Sequence, residues 1–220
     1  MIRTATLTFH ASHNYGSMLQ AYALQSVLTK SIGVENEIIN LRTSVQKSIY
    51  PNPTKIPHSL RGWISFACRL PMMRELSRKF HLFEDFLEKE LALSKEFHSM
   101  EEVADYAKNF DCLITGSDQI WNTACGDFDW SYYLPFCGCK RIAYAPSMGP
   151  HANEQVSPKL YGKIDECLNE FDAVSVRERG TADVISSITG NRPEVFVDPT
   201  VLIAKTEWEH LASDKNPVKG

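Results

Sequence analysis

The sequence predicts an α/β fold, a mostly parallel sheet flanked by helices. Two observations carry that reading. Short β-rich runs alternate with stretches whose apolar residues recur at helical spacing. One strand after another also ends in a polar or glycine-bearing loop, and several of these loops open onto a helix. Bulk numbers agree: 220 residues, 43% hydrophobic and 23% charged, are enough for one substantial core.

The first unit is a βαβ. Thr4 to Phe9 is a strand, the polar loop HASHNYG follows, and SMLQAYALQSVLTKS carries Met18, Leu19, Tyr22, Ala23, Val27 and Leu28 at helical spacing. Ser17 stands where an N-cap is expected and Gly33 where the helix should stop. Val34 to Leu41 is the second strand, parallel to the first through a right-handed crossover. From Arg42 to about Pro71 the prolines 51, 53 and 57 break any regular pattern, so this stretch reads as a surface excursion. Met72 to Leu91 then reads as an amphipathic helix with Leu76, Phe80, Phe83, Phe86, Leu87 and Leu91 on one side.

The α/β rhythm resumes at Met100. A helix to Lys108 precedes the strand Asp111 to Thr115, and the loop GSDQIWN follows it. Arg141 to Ala145 is a strand ending in PSMG. A helix from about Asn153 to Glu170 leads to the strand Ala173 to Val176, whose loop RERG opens a helix closing at Gly190. Glu194 to Val197 is the last strand and ends in DPT. In a doubly wound sheet such loops gather outside the carboxyl ends of the strands, where ligands bind. The expected organisation is a Rossmann-like domain over residues 1–203 with a helical or irregular insertion at 42–100. Residues 204–220 are expected to form a tail or the start of an interdomain linker.

Composition excludes several classes. A net charge of −4 argues against a protein held to nucleic acid by counterion release. The N-terminus has no secretory apolar region, and no stretch is long and uncharged enough to span a bilayer. The expected location is cytoplasmic. The six cysteines contain no CxxC pair. Cys137 and Cys139 could join Cys125 or His151 around zinc, but structural zinc sites recruit closely spaced pairs, so ordinary thiols and no metal are expected.

The chemistry sits in the loops. His13, Asn14, Tyr15, Gly16 and Ser17 open the first helix. Gly16 permits close backbone approach, and the free N–H groups there suit a phosphate or carboxylate; the alternative is a plain strand-to-helix turn. No GKS, GKT or GxGxxG follows, so nucleotide motifs lack support. His10 reads as a polar loop residue; His13 stays open between general acid and loop residue. In the next loop, Ser117, Asp118, Gln119 and Asn122 offer hydrogen bonds to sugar hydroxyls. Trp121 is either a platform for a sugar ring or a core residue. Ser147 and Gly149 add a hydroxyl and a close backbone approach. Arg177 is placed to fork onto a carboxylate or phosphate, or else to pair with Glu178 or Asp198.

Taken in order, HNYGSMLQAYAL, ITGSDQIWN, AYAPSMG, SVRERG and FVDPTVL resemble the successive blocks of the polysaccharide pyruvyl transferase family, from about Thr4 to Leu202. The resemblance implies the N-terminal half of a two-domain fold similar to the GT-B glycosyltransferases. It implies transfer of pyruvate from phosphoenolpyruvate to a sugar or glycan-lipid acceptor of a bacterial cell-surface polysaccharide as a ketal, with no cofactor. Arg177 would then hold the donor's anionic groups. Asn14, Tyr15, Gly16, Ser117, Asp118, Gln119, Ser147 and Gly149 would line the cleft. The family's second half, with the histidine proposed as general acid, has no counterpart here, so a missing C-terminal domain or a homo-oligomeric partner is expected to complete the site. The rival readings are a binding module of the same fold without turnover and a sugar-nucleotide glycosyltransferase.

Overall fold

The computed structural model describes residues 2–56, 59–136 and 138–212. Seven strands form one sheet: β1 Arg3–Leu7, β2 Glu35–Leu41, β3 Leu93–Phe97, β4 Cys112–Thr115, β5 Lys140–Ala143, β6 Ala173–Val176 and β7 Glu194–Val195. Their order is β3-β2-β1-β4-β5-β6-β7 and every pairing is parallel. The chain runs outward from β1 in one direction and then resumes at β4 on its other side. In open α/β sheets such a switch point, here at the ends of β1 and β4, is where ligands bind.

Side-chain alternation along these short strands sorts two hydrophobic layers. Ala5, Leu7, Ile39, Leu41 and Leu113 face one layer, covered by α5 (Met100–Ala107), α7 (Tyr161–Leu168) and α8 (Arg179–Thr189). Ile38, Cys112 and Ile114 face the other, covered by α1 (Tyr15–Ser26) and α4 (Met73–Glu90). On this second side Thr4 and Thr6 turn polar atoms inward. Asn36 donates to both threonine hydroxyls at 2.9 and 3.0 Å, so the buried polar groups are satisfied.

Several expected elements shift. The N-cap of α1 is Asn14, not Ser17: its side chain accepts from the Gly16 N–H at 2.8 Å, and Ser17 is buried one turn inside. The helix continues as a π-helical segment, Val27–Ile32, and stops at Gly33 in the left-handed region, as its glycine suggests. The excursion is more ordered than its prolines imply. It holds α2 (Ser44–Ile49) and α3 (Leu60–Arg69), then α4, and it supplies β3, a short, largely polar edge strand with no hydrophobic alternation to reveal it. The helix expected over 153–170 is broken into α6 (Ala152–Gln155), a 3-10 turn and α7, because Pro158 forces Ser157 into extended backbone. Beyond β7, the short helix α9 (Lys205–Leu211) packs Trp208 against Tyr22 of α1, ring centroids 6.0 Å apart. Residues 213–220 of the expected tail lie outside the described residues.

Candidate functional site

The loops after β1, β4, β5 and β6 meet at the carboxyl edge of the sheet, tied mainly by backbone. Gln20, on the buried side of α1, donates to the Thr8 hydroxyl and the Ser17 carbonyl and accepts from the Ser117 N–H at 3.1 Å. It thereby joins the loops after β1 and β4. The loops after β4 and β5 are paired in turn: the Ser147 N–H donates to the Asp118 carbonyl at 2.8 Å, and the Trp121 N–H to the Ser147 carbonyl. Gly116 is required by contact, since a Cβ there would lie 1.9 Å from the Tyr144 carbonyl oxygen. Sequence reasoning missed Gln20; its signal is a long amide among the apolar positions of a core-facing helix.

Seven of the expected ligand-facing residues are engaged internally. Trp121 is 0% exposed, stacks on Tyr133 at 4.9 Å and donates from Nε1 to the Tyr132 carbonyl, so it is a core residue and not a sugar platform. Burial keeps the Ser147 hydroxyl from a ligand, and that hydroxyl accepts from the Gly149 N–H at 2.9 Å, which takes up the Gly149 donor. The Gly16 N–H is taken by Asn14. Ser117 is likewise buried and donates to the Ala145 carbonyl at 3.0 Å. Gln119 and Asn122 bond each other at 3.0 Å. Tyr15 is 71% exposed and lines an apolar cavity on the flank of α4.

Asp118 differs from its neighbours. Its Oδ1 accepts from the Gln119 N–H at 2.8 Å, whereas its Oδ2 is buried with no hydrogen-bond partner among the described residues. Nearby Asp127 is also buried, and that burial holds its pKa above the usual aspartate range, with the Asp118 charge adding to the effect. Tyr50, at the end of α2, donates to Asp127 at 3.4 Å; burial first, and then Asp127, push its pKa up to about 12.

Arg177 lies between two carboxylates, so the alternative reading of its position is realised twice. Its Nε donates to Glu178 at 2.7 Å and an Nη donates to Asp198 at 3.0 Å. Burial alone would lower its pKa, but these partners outweigh that and raise it. Asp198 also caps the 3-10 turn Pro199–Val201 through Oδ1, which holds it in place. The second Nη of Arg177 makes no hydrogen bond among the described residues.

A second charged cluster lies at the β1–β2 end. Glu84 of α4 accepts from Arg42 at 3.0 and 3.1 Å and pairs with His13 Nε2 at 2.7 Å. Burial would raise the Glu84 pKa, but His13 and Arg42 together bring it below the usual value. The His13 ring stacks on Phe83 at 5.2 Å. Arg42 Nε also donates to Asn40, which meets buried His10 at 2.9 Å. The reading of His10 as a polar structural residue agrees with this, and burial lowers its pKa. Arg42, Glu84 and Tyr50 were not singled out in the sequence, because they fall in the 42–100 insertion and nothing local marks them. Two adjoining cavities of about 520 and 340 Å³ share His13, Tyr50, Pro51 and Phe80. A cavity of about 730 Å³ lies between α1, α4 and α9 and is mostly apolar; it lacks the convergent polar groups of the loop edge.

Among the described residues no group of three or more His, Cys, Asp or Glu could hold a metal ion. Cys137 of the considered zinc set lies outside the described residues. No described helix is long and apolar enough to cross a membrane.

No curated protein and no solved structure matches this chain. The family model described as polysaccharide pyruvyl transferase matches residues 14–218, which includes the excursion as well as the loop blocks. This chain belongs to the polysaccharide pyruvyl transferase family.

Proposed function

We propose that this chain takes part in moving a pyruvyl group from phosphoenolpyruvate to two hydroxyls of a sugar in a cell-surface polysaccharide precursor. The observation that carries the reading is Asp118. At the sheet's switch point it keeps a buried carboxylate oxygen without a partner, near Arg177. A carboxylate of this kind accepts from a sugar hydroxyl, and the free Nη of Arg177 has two N–H donors left for the donor's phosphate or carboxylate.

The chemistry needs a proton on the methylene carbon of the enol, which becomes a methyl group and leaves positive charge at the adjacent carbon. A sugar hydroxyl bonds to that carbon and loses its proton. A second hydroxyl of the same sugar attacks next and gives up its proton, the bond to the phosphate oxygen breaks, and inorganic phosphate leaves with the electron pair. Arg177 stabilises the shifting negative charge. Asp118 orients the acceptor hydroxyl. No cofactor is invoked, and no residue of this chain is assigned as general acid. In a two-domain arrangement of the GT-B type, the loop edge forms one wall of the cleft.

The test is calorimetric titration of phosphoenolpyruvate and of a UDP-sugar, separately, into wild type, Arg177→Ala and Asp118→Asn. Phosphoenolpyruvate is expected to bind wild type and to lose roughly tenfold or more in affinity to Arg177→Ala, as for loss of a charged hydrogen bond. Tight binding of the UDP-sugar without phosphoenolpyruvate would overturn the reading in favour of a glycosyltransferase.

A further inference from the structure

Helix α3 is amphipathic in the sense opposite to a core helix. Trp63, Ile64 and Ala67 form a stripe on one face, and Leu70 and Met72 extend it into the following turn. These side chains point to solvent: Trp63 is 49% exposed, Ile64 62%, Leu70 55% and Met72 57%. The adjoining face, with Gly62 and with Phe66 whose ring meets Trp63 at 5.8 Å, is the half-buried one and lines a shallow cavity with Arg69 and Pro51. The helix is well begun, since the Ser59 hydroxyl accepts from the Gly62 N–H at 3.1 Å. An ordered helix with its apolar stripe outward needs a cover.

Charge identifies the cover. Between residues 55 and 79 stand Lys55, Arg61, Arg69, Arg74, Arg78 and Lys79, against the one carboxylate of Glu75, in a chain whose net charge is −4. Among the described residues none of these six cations forms an ion pair; Lys79 lies over the Phe83 ring at 5.8 Å. A second copy of this chain placed symmetrically on the stripe would set these cations against their own duplicates. Anionic lipid headgroups neutralise them, while the interface accepts Trp63, Ile64, Leu70 and Met72 below the headgroups. Tryptophan and arginine are suited to that depth.

We propose that α3, with the turn and first residues of α4 after it, lies flat on an anionic membrane surface. The inference does not depend on the catalytic reading. Arg69 and Lys79 also line the 520 Å³ cavity that holds His13, so docking brings that cavity to the headgroup plane. There it can meet a head group that remains attached to its lipid.

The test is co-sedimentation of the full chain with vesicles of phosphatidylcholine alone and of phosphatidylcholine with phosphatidylglycerol. Wild type is expected on the anionic vesicles only, with binding weakened by salt. Arg61→Gln and Arg74→Gln are each expected to weaken it roughly fivefold, and Trp63→Ser with Ile64→Ser tenfold or more. All of these side chains are exposed, so circular dichroism and the thermal midpoint should not change; that control separates lost docking from lost folding. Equal binding to neutral vesicles, no binding at all, or variants that bind like wild type would overturn the proposal. So would a dimer in sedimentation equilibrium that Trp63→Ser dissolves, because the cover would then be a second copy.

Discussion

The two charged clusters at the sheet edge are near mirror images in composition. At the β6–β7 end one cation, Arg177, is gripped by two carboxylates, Glu178 and Asp198, with Asp118 nearby. At the β1–β2 end one carboxylate, Glu84, is gripped by Arg42 and His13. The first therefore carries excess negative charge and the second carries none. An anionic donor approaching Arg177 meets a guanidinium that is already shared, so its affinity depends on how far Asp198 and Glu178 yield. The cluster around Glu84 instead holds α4 against the β1 loop. Similar chemistry thus accompanies the proposed binding at one end and architecture at the other.

The largest expected effect breaks both clusters together. Gly116 holds the loop between them at a φ of +134°, against the Tyr144 carbonyl. Gly116→Ala is expected to cost about 3 kcal/mol or more, read as a drop in the urea midpoint, because backbone atoms and not a flexible side chain must move. Removing the central partners separates the two ends. Glu84→Ala leaves the half-buried Arg42 guanidinium and His13 without their shared carboxylate and is expected to cost about 2–3 kcal/mol. Asp198→Ala leaves Glu178 on Arg177 and should cost about 1–2 kcal/mol, chiefly through the lost turn cap. Equal losses would erase the distinction drawn between the clusters.

Binding sharpens it further. Asp198→Asn removes one negative charge beside Arg177 and is expected to tighten phosphoenolpyruvate binding about threefold to tenfold by calorimetry, while Glu84→Gln leaves it unchanged. Weaker binding in Asp198→Asn would mean that the carboxylate positions the guanidinium more than it competes for it. The smallest effect is in the pH dependence of stability. The Glu84 pKa is depressed in the folded state, so its contribution is full above its ordinary value of 4.5 and is lost as pH falls through the folded value. Asp127 has the opposite sign: its raised pKa favours the folded state below 3.8, and that advantage is lost as pH rises. Urea midpoints for Glu84→Gln should thus approach wild type in acid. Those for Asp127→Asn should gain on wild type towards neutrality.

Much of the fold was legible. The strands on either side of the switch point are short, apolar and bounded by turn residues, and their alternation into loops and helices named the architecture. What escaped was β3, whose residues LSKEF satisfy an edge by hydrogen bonding and charge without needing an apolar face. The candidate site was legible as loops but less so as atoms. Ser147 and Trp121 stand in the right loops and point into the core, because a tight loop with a paired backbone must bury something. Arg42 and Glu84, 42 residues apart, meet only through the packing of α4 on the β1 loop.

By itself the sequence determined the periodicities, the glycine and proline stops, and the order of loops that marks the family. Those properties are local, set by backbone sterics and by which residues repeat at two or at 3.6. Only the tertiary structure decided which polar groups remain available to a ligand. That depends on partners far away in the chain: it left Asp118 Oδ2 without one, placed two carboxylates on Arg177, and turned the apolar stripe of α3 outward.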